Sequence, residues 1–97
     1  MSMSVSQADV ATTNASRYLQ QLCKHWSHKF SVEFTPQEGR IELPSGVTRL
    51  RANEANLRVE VETANEHDLE RLETVVADHI VRFAFREELH FAWRKLG

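Results

Sequence analysis

Between Ala15 and Phe30 the apolar positions recur at spacings of three and four, through Tyr18, Leu19, Leu22, Cys23 and Trp26. A continuous apolar stripe of that period predicts an amphipathic helix. Thr13 and Asn14, just ahead of it, carry side-chain oxygens that can accept from the open N–H groups of the first turn. Upstream, Ala8, Val10 and Thr12 alternate with Gln7, Asp9 and Ala11, the period of a short half-buried strand. Residues 1–6, in which serine alternates with Met1, Met3 and Val5, are expected to fray as a chain terminus.

After Phe30 the period switches from 3.6 to 2. Val32 and Phe34 alternate with polar neighbours, and Pro36-Gln37-Glu38-Gly39 reads as a turn. Ile41 and Leu43 alternate with Arg40 and Glu42, and Pro44-Ser45-Gly46 turns the chain again. Residues 47–52 form a weaker strand, because Val47 and Leu50 cannot share one face without a bulge. Past the turn at Asn53-Glu54-Ala55-Asn56, Leu57, Val59 and Val61 alternate with Arg58, Glu60 and Glu62. A second helix follows, capped by Thr63 or Asn65, with acids in its first turn. Leu69, Leu72, Val76, Ile80 and Phe83 form its inward stripe, supported by Val75, and it runs out near Phe85-Arg86. Leu89, Phe91 and Trp93 alternate with Glu88, His90 and Ala92 as a closing strand.

The resulting order is β-α-β-β-β-β-α-β, with one apolar face on every element. The economical packing is an α+β fold: one antiparallel sheet of five to six strands with both helices on the same side. The other side then carries Glu33, Arg40, Glu42, Arg49, Arg51, Arg58, Glu60, Glu62, His90 and Arg94. Cross-strand Arg–Glu pairs on such a face contribute only about 0.2–1 kcal/mol each. It therefore reads as a solvated surface before it reads as a binding platform.

Composition narrows the picture. A chain of 97 residues makes one domain, with 41% apolar and 27% charged residues. The net charge of −2 lacks the basic excess of a nucleic-acid-binding surface. No apolar run reaches the length needed to span a bilayer, and the N-terminus has no signal-peptide pattern. One cysteine excludes an internal disulfide, and a cytoplasmic location is the simplest expectation. An exposed sheet edge leaves monomer and homodimer both open.

Chemistry concentrates in Cys23-Lys24-His25-Trp26-Ser27-His28. Cys23 and His25 project about 200° apart on a regular helix and cannot hold one ion. His25 and His28, three apart, could share one, but two imidazoles are half of a tetrahedral zinc set. The favoured reading makes Cys23 a small buried hydrophobe and the histidines boundary residues. The metal-binding alternative needs His25 and His28 with a remote acid or with His79. His79 lies in the inward stripe of the second helix, where it must find a hydrogen-bond partner. If a pocket opens between helices and sheet, His79 is the first residue expected to line it. Candidate ligand contacts are His25, Trp26, His28, His79 and Arg86, with no catalytic residue and no cofactor. Glycine-rich phosphate loops and Gly-x-Ser-x-Gly elbows are missing. Glu87-Glu88 marks a helix end and carries little acid–base signal.

Two segments, Ala15-Ser16-Arg17-Tyr18-Leu19 through Leu22-Cys23-Lys24-His25-Trp26-Ser27-His28-Lys29 and Arg82-Phe83-Ala84-Phe85-Arg86-Glu87-Glu88-Leu89, resemble an uncharacterised bacterial domain-of-unknown-function family, number two-two-one-eight. Gly39-Arg40-Ile41 and Trp93 add to the likeness, which runs from about Ala8 to Trp93. The resemblance implies a compact α+β unit of the TATA-binding-protein-like type. It also implies an association with siderophore-interacting flavin reductases, and so with iron acquisition, but no reaction. The expected function is a small non-catalytic binding or accessory domain linked to siderophore handling. Its expected partner is such a reductase or a small-molecule ligand.

Overall fold

The structure, a computed structural model, describes residues 3–96. Strands β1 (Ser4–Ala11), β2 (Ser31–Phe34), β3 (Glu38–Leu43), β4 (Gly46–Ala52), β5 (Asn56–Thr63) and β6 (Arg94–Lys95) form one sheet in the order β2-β3-β4-β5-β1-β6. Every pairing is antiparallel. Helix α1 (Ala15–Trp26) lies over β2 to β5, and α2 (Glu66–Phe83) lies over β1, β4 and β5 and touches α1. The expected architecture is therefore the observed one.

Register explains the layering. Ala8, Val59, Leu50, Gly39 and Phe34 stand side by side across five strands, and the next row is Ser6, Val61, Thr48, Ile41 and Val32. Both rows face the helices. Leu19, Leu22 and Cys23 of α1 and Leu69, Leu72, Val76 and Ile80 of α2 close over them, each fully buried or nearly so. Burial of these side chains stabilises the fold by about 1.5–3 kcal/mol each before conformational entropy is subtracted.

Several expectations change. Ser4, Val5 and Ser6 do not fray: they pair with Thr63, Glu62 and Val61. Residues 1 and 2 lie outside the described segment. β4 needs no bulge, because its pairing with β3 and β5 is continuous. Val47 faces away from the helices, and Thr48 takes the core position with a buried hydroxyl that has no hydrogen-bond partner among the described residues. Asn14 sits at the N-cap of α1 without capping it, whereas Asn65 Oδ1 accepts from the Asp68 backbone N–H and caps α2. α1 ends at Trp26, short of Phe30, and α2 ends at Phe83.

The closing strand is the largest revision. Leu89, Phe91 and Trp93 are half-buried against the core and Phe91 stacks on Trp93 at 6.0 Å, yet none is hydrogen-bonded into the sheet. Pairing starts only at Arg94, opposite Gln7. Period-2 alternation reports which side chains turn inward; it does not report where the backbone N–H groups go.

Candidate functional site

The helix-free face of the sheet holds an open concave cleft of about 610 Å³. That lies within the 300–1,000 Å³ typical of small-molecule sites. Two polar rows build it. One runs Gln7, Glu60, Arg49, Arg40, Glu33 and the other Asp9, Arg58, Arg51, Glu38. In both rows arginine stands directly opposite arginine: Arg40 faces Arg49, and Arg51 faces Arg58. Like charges placed opposite one another destabilise a sheet. Folding alone would favour the alternation of signs that the sequence suggests.

Acids flank this four-arginine centre. Arg49 bridges Glu60 at 3.3 Å and Glu62 at 2.9 Å. Arg51 pairs with Glu38 at 2.8 Å, Arg58 with Asp9 at 2.8 Å and Arg40 with Glu42 at 3.4 Å. Arg94 of β6 reaches Asp9 at 3.6 Å and donates to the Gln7 side chain at 3.1 Å. All of these arginines keep roughly half their side chain in water, so each pair contributes about 0–1 kcal/mol. Their guanidinium donors remain open to exchange partners. His90, expected on this face, lies instead in the extended segment ahead of β6 and is exposed.

Burial divides the α1 motif, with both of its histidines exposed and not on the boundary. Cys23 is fully buried, and burial pushes its thiol up to about 11. It stays protonated near neutrality and is neither nucleophile nor ready ligand. Trp26 is 5% exposed and belongs to the core. His25 is exposed and His79 half-buried, and the seam between the helices brings them together with ring centroids 5.6 Å apart. His28 is exposed beyond the end of α1. Arg86 lies over the Phe85 ring at 5.3 Å, on a turn after α2. Among the described residues no cluster of three or more His, Cys, Asp or Glu side chains has metal-holding geometry.

Glu87, a helix-end residue by sequence pattern, is a hydrogen-bonding centre in the structure. Its carboxylate accepts from Thr12 Oγ1 at 3.1 Å, from Asn14 Nδ2 at 2.9 Å and from the Tyr18 hydroxyl. These bonds explain why Asn14 does not cap α1. They hold the Glu87 carboxyl below the ordinary glutamate value, with the Tyr18 bond the largest cause. Burial, then the facing carboxylate, raises the Tyr18 phenol. The cluster latches the segment after α2 onto the start of α1. A carboxylate whose folded value is depressed adds stability above its unfolded value, and that stability is lost as pH falls through the folded one. Glu87→Gln should therefore flatten the acid limb of stability below about pH 5. Urea titrations at a series of pH values test this; a wild-type-to-variant difference independent of pH would remove the carboxylate from the account.

Fold and face together define an α+β domain with a helical back and an arginine-centred concave front. The chain belongs to DUF2218, a family of uncharacterised proteins conserved in bacteria, whose model matches residues 7–94. It is similar to the NMR structure of PA4090 from Pseudomonas aeruginosa, at 39% identity and a TM-score of 0.76. That match covers 97% of this chain and 96% of the other. No curated protein matches. Among the described residues no helix is long and apolar enough to cross a membrane.

Proposed function

We propose that this chain is a non-catalytic binding domain whose concave sheet face receives an anionic ligand. The opposition of Arg40 to Arg49 and of Arg51 to Arg58 carries the reading, because it sets four guanidinium groups side by side at the centre of the face, between flanking acids. A bound anion would relieve the repulsion and take up bidentate guanidinium donors. The ligand class that fits the family resemblance is an anionic ferric siderophore, in which oxygen donors surround iron(III). A siderophore-interacting flavin reductase is then the partner that would act on the bound chelate.

Isothermal titration with an anionic catecholate siderophore–iron complex, beside a neutral hydroxamate complex, tests the reading. The anionic complex should bind more tightly and weaken as salt rises. Arg40→Gln with Arg51→Gln should lower affinity by about tenfold or more, which is about 1.4 kcal/mol. Neither change opens the core, since both side chains are exposed. Equal affinity in the double variant, or no binding of the anionic complex, would retire the concave face as the site.

A further inference from the structure

We infer that the seam between α1 and α2 holds a divalent transition-metal ion through His25 and His79, on the opposite side of the sheet from the concave face. This site is independent of the arginine-centred one and does not rest on it. Spacing along α1 suggested His25 with His28, but packing of the helices selects His79 as the neighbour of His25.

Two observations carry the assignment. The first is the separation of the rings. With metal–nitrogen bonds of about 2.0–2.1 Å, two imidazoles on one ion at tetrahedral to trigonal angles have centroids about 5–5.5 Å apart. The His25 and His79 centroids are 5.6 Å apart, with planes tilted by 45°. His25 is exposed, so its ring is free to turn toward the common point.

The second is the hydrogen bond made by the other ring nitrogen of His79. His79 Nδ1 lies 2.7 Å from the backbone carbonyl of Val75. A carbonyl only accepts, so Nδ1 carries the proton and Nε2 carries the free lone pair. Ligating histidines are commonly fixed in this way, with the other ring nitrogen donating to a backbone carbonyl. An aromatic ring packs beside each imidazole: Trp26 lies 4.9 Å from His79, and Phe83 meets His25 edge-on at 6.1 Å. Trp26 and Phe83 therefore give the seam an apolar lining beside the two imidazoles.

With two protein ligands the remaining positions belong to solvent or to a group from a bound partner, so the site is open rather than structural. Imidazole nitrogen suits copper, nickel and zinc, and affinity should follow the general order with Cu²⁺ strongest. Trp26 provides the readout, since Cu²⁺ bound beside it quenches its fluorescence.

The test is Cu²⁺ titration of the untagged full chain in the Trp93→Phe background, following Trp26 emission, with stoichiometry from calorimetry. One ion per chain is expected. His25→Gln and His79→Gln should each weaken binding by about tenfold or more, equivalent to about 1.4 kcal/mol. His28→Gln should change it by less than about twofold. Because His25 is exposed, His25→Gln keeps the fold intact and decides the matter even if His79→Gln perturbs the packing at Trp26. Binding unaffected by His25→Gln, or equally weakened by His28→Gln, would overturn the assignment. So would a wild-type chain that fails to quench on addition of Cu²⁺.

Discussion

Replacing Gly46 by alanine is expected to destabilise the domain by about 3–4 kcal/mol, at the upper end for overpacking. A Cβ at this position would stand 2.1 Å from the backbone oxygen of Glu62 and 2.9 Å from the Thr63 methyl. Gly46 opens β4 opposite Thr63, immediately after the Pro44-Ser45 turn. The obstacle is a main-chain oxygen inside a hydrogen-bonded strand, so no rotamer change removes it. β4 must peel from β5 at this end, or the hairpin must distort. Such a loss is a large share of the 5–15 kcal/mol that holds a typical domain. Urea unfolding of the variant measures it; a midpoint within experimental error of the wild type would show that the hairpin absorbs the methyl group freely.

Gly39 is the second such position, with a softer obstacle. An added Cβ would lie 2.8 Å from Cys23 Sγ and 3.4 Å from a Leu19 methyl. The bare backbone of β3 is what lets α1 settle against the sheet. Gly39→Ala should cost about 1–3 kcal/mol, less than Gly46→Ala because a side-chain sulfur can shift. Cys23→Ala removes that sulfur and leaves a void, so alone it too destabilises. Together the two should cost less than their sum, with a coupling of at least about 1 kcal/mol. Additivity within about 0.5 kcal/mol in denaturant unfolding would place the cost of Gly39→Ala somewhere other than the sulfur.

Periodicity carried the helices, five of the strands and their order, because each element shows one apolar face to one core. It identified Leu19, Leu22 and Cys23 as buried from spacing alone. It failed where the pattern and the hydrogen bonding part company. Leu89, Phe91 and Trp93 turn inward as a strand would, while the sheet pairs only Arg94 and Lys95. Thr48 entered the core in place of Val47 because register, rather than hydropathy, decides which neighbour points inward.

The candidate sites were harder to read for the same reason. Arg40 and Arg49 become neighbours only once Leu43 is set opposite Gly46 by the two-residue turn between them. A list of charges on one face cannot distinguish Arg–Glu alternation from Arg–Arg opposition. His25 and His79 are 54 positions apart in the chain, and no wheel drawn on one helix brings them together. The three donors to Glu87 likewise converge from residues far away in sequence.

The place of β1 in the sheet has a kinetic consequence. It is the earliest described strand in the chain, yet its two neighbours are β5 and β6, so its pairing waits on residues from Asn56 onward. The β2-β3-β4-β5 meander closes through short turns and can form early, because small loops cost little closure entropy. Until β1 docks, the meander presents the Leu57–Val61 backbone as an open edge, and such an edge invites pairing with another chain. Slow, long-range insertion of β1 is therefore the step at which folding of this domain competes with association.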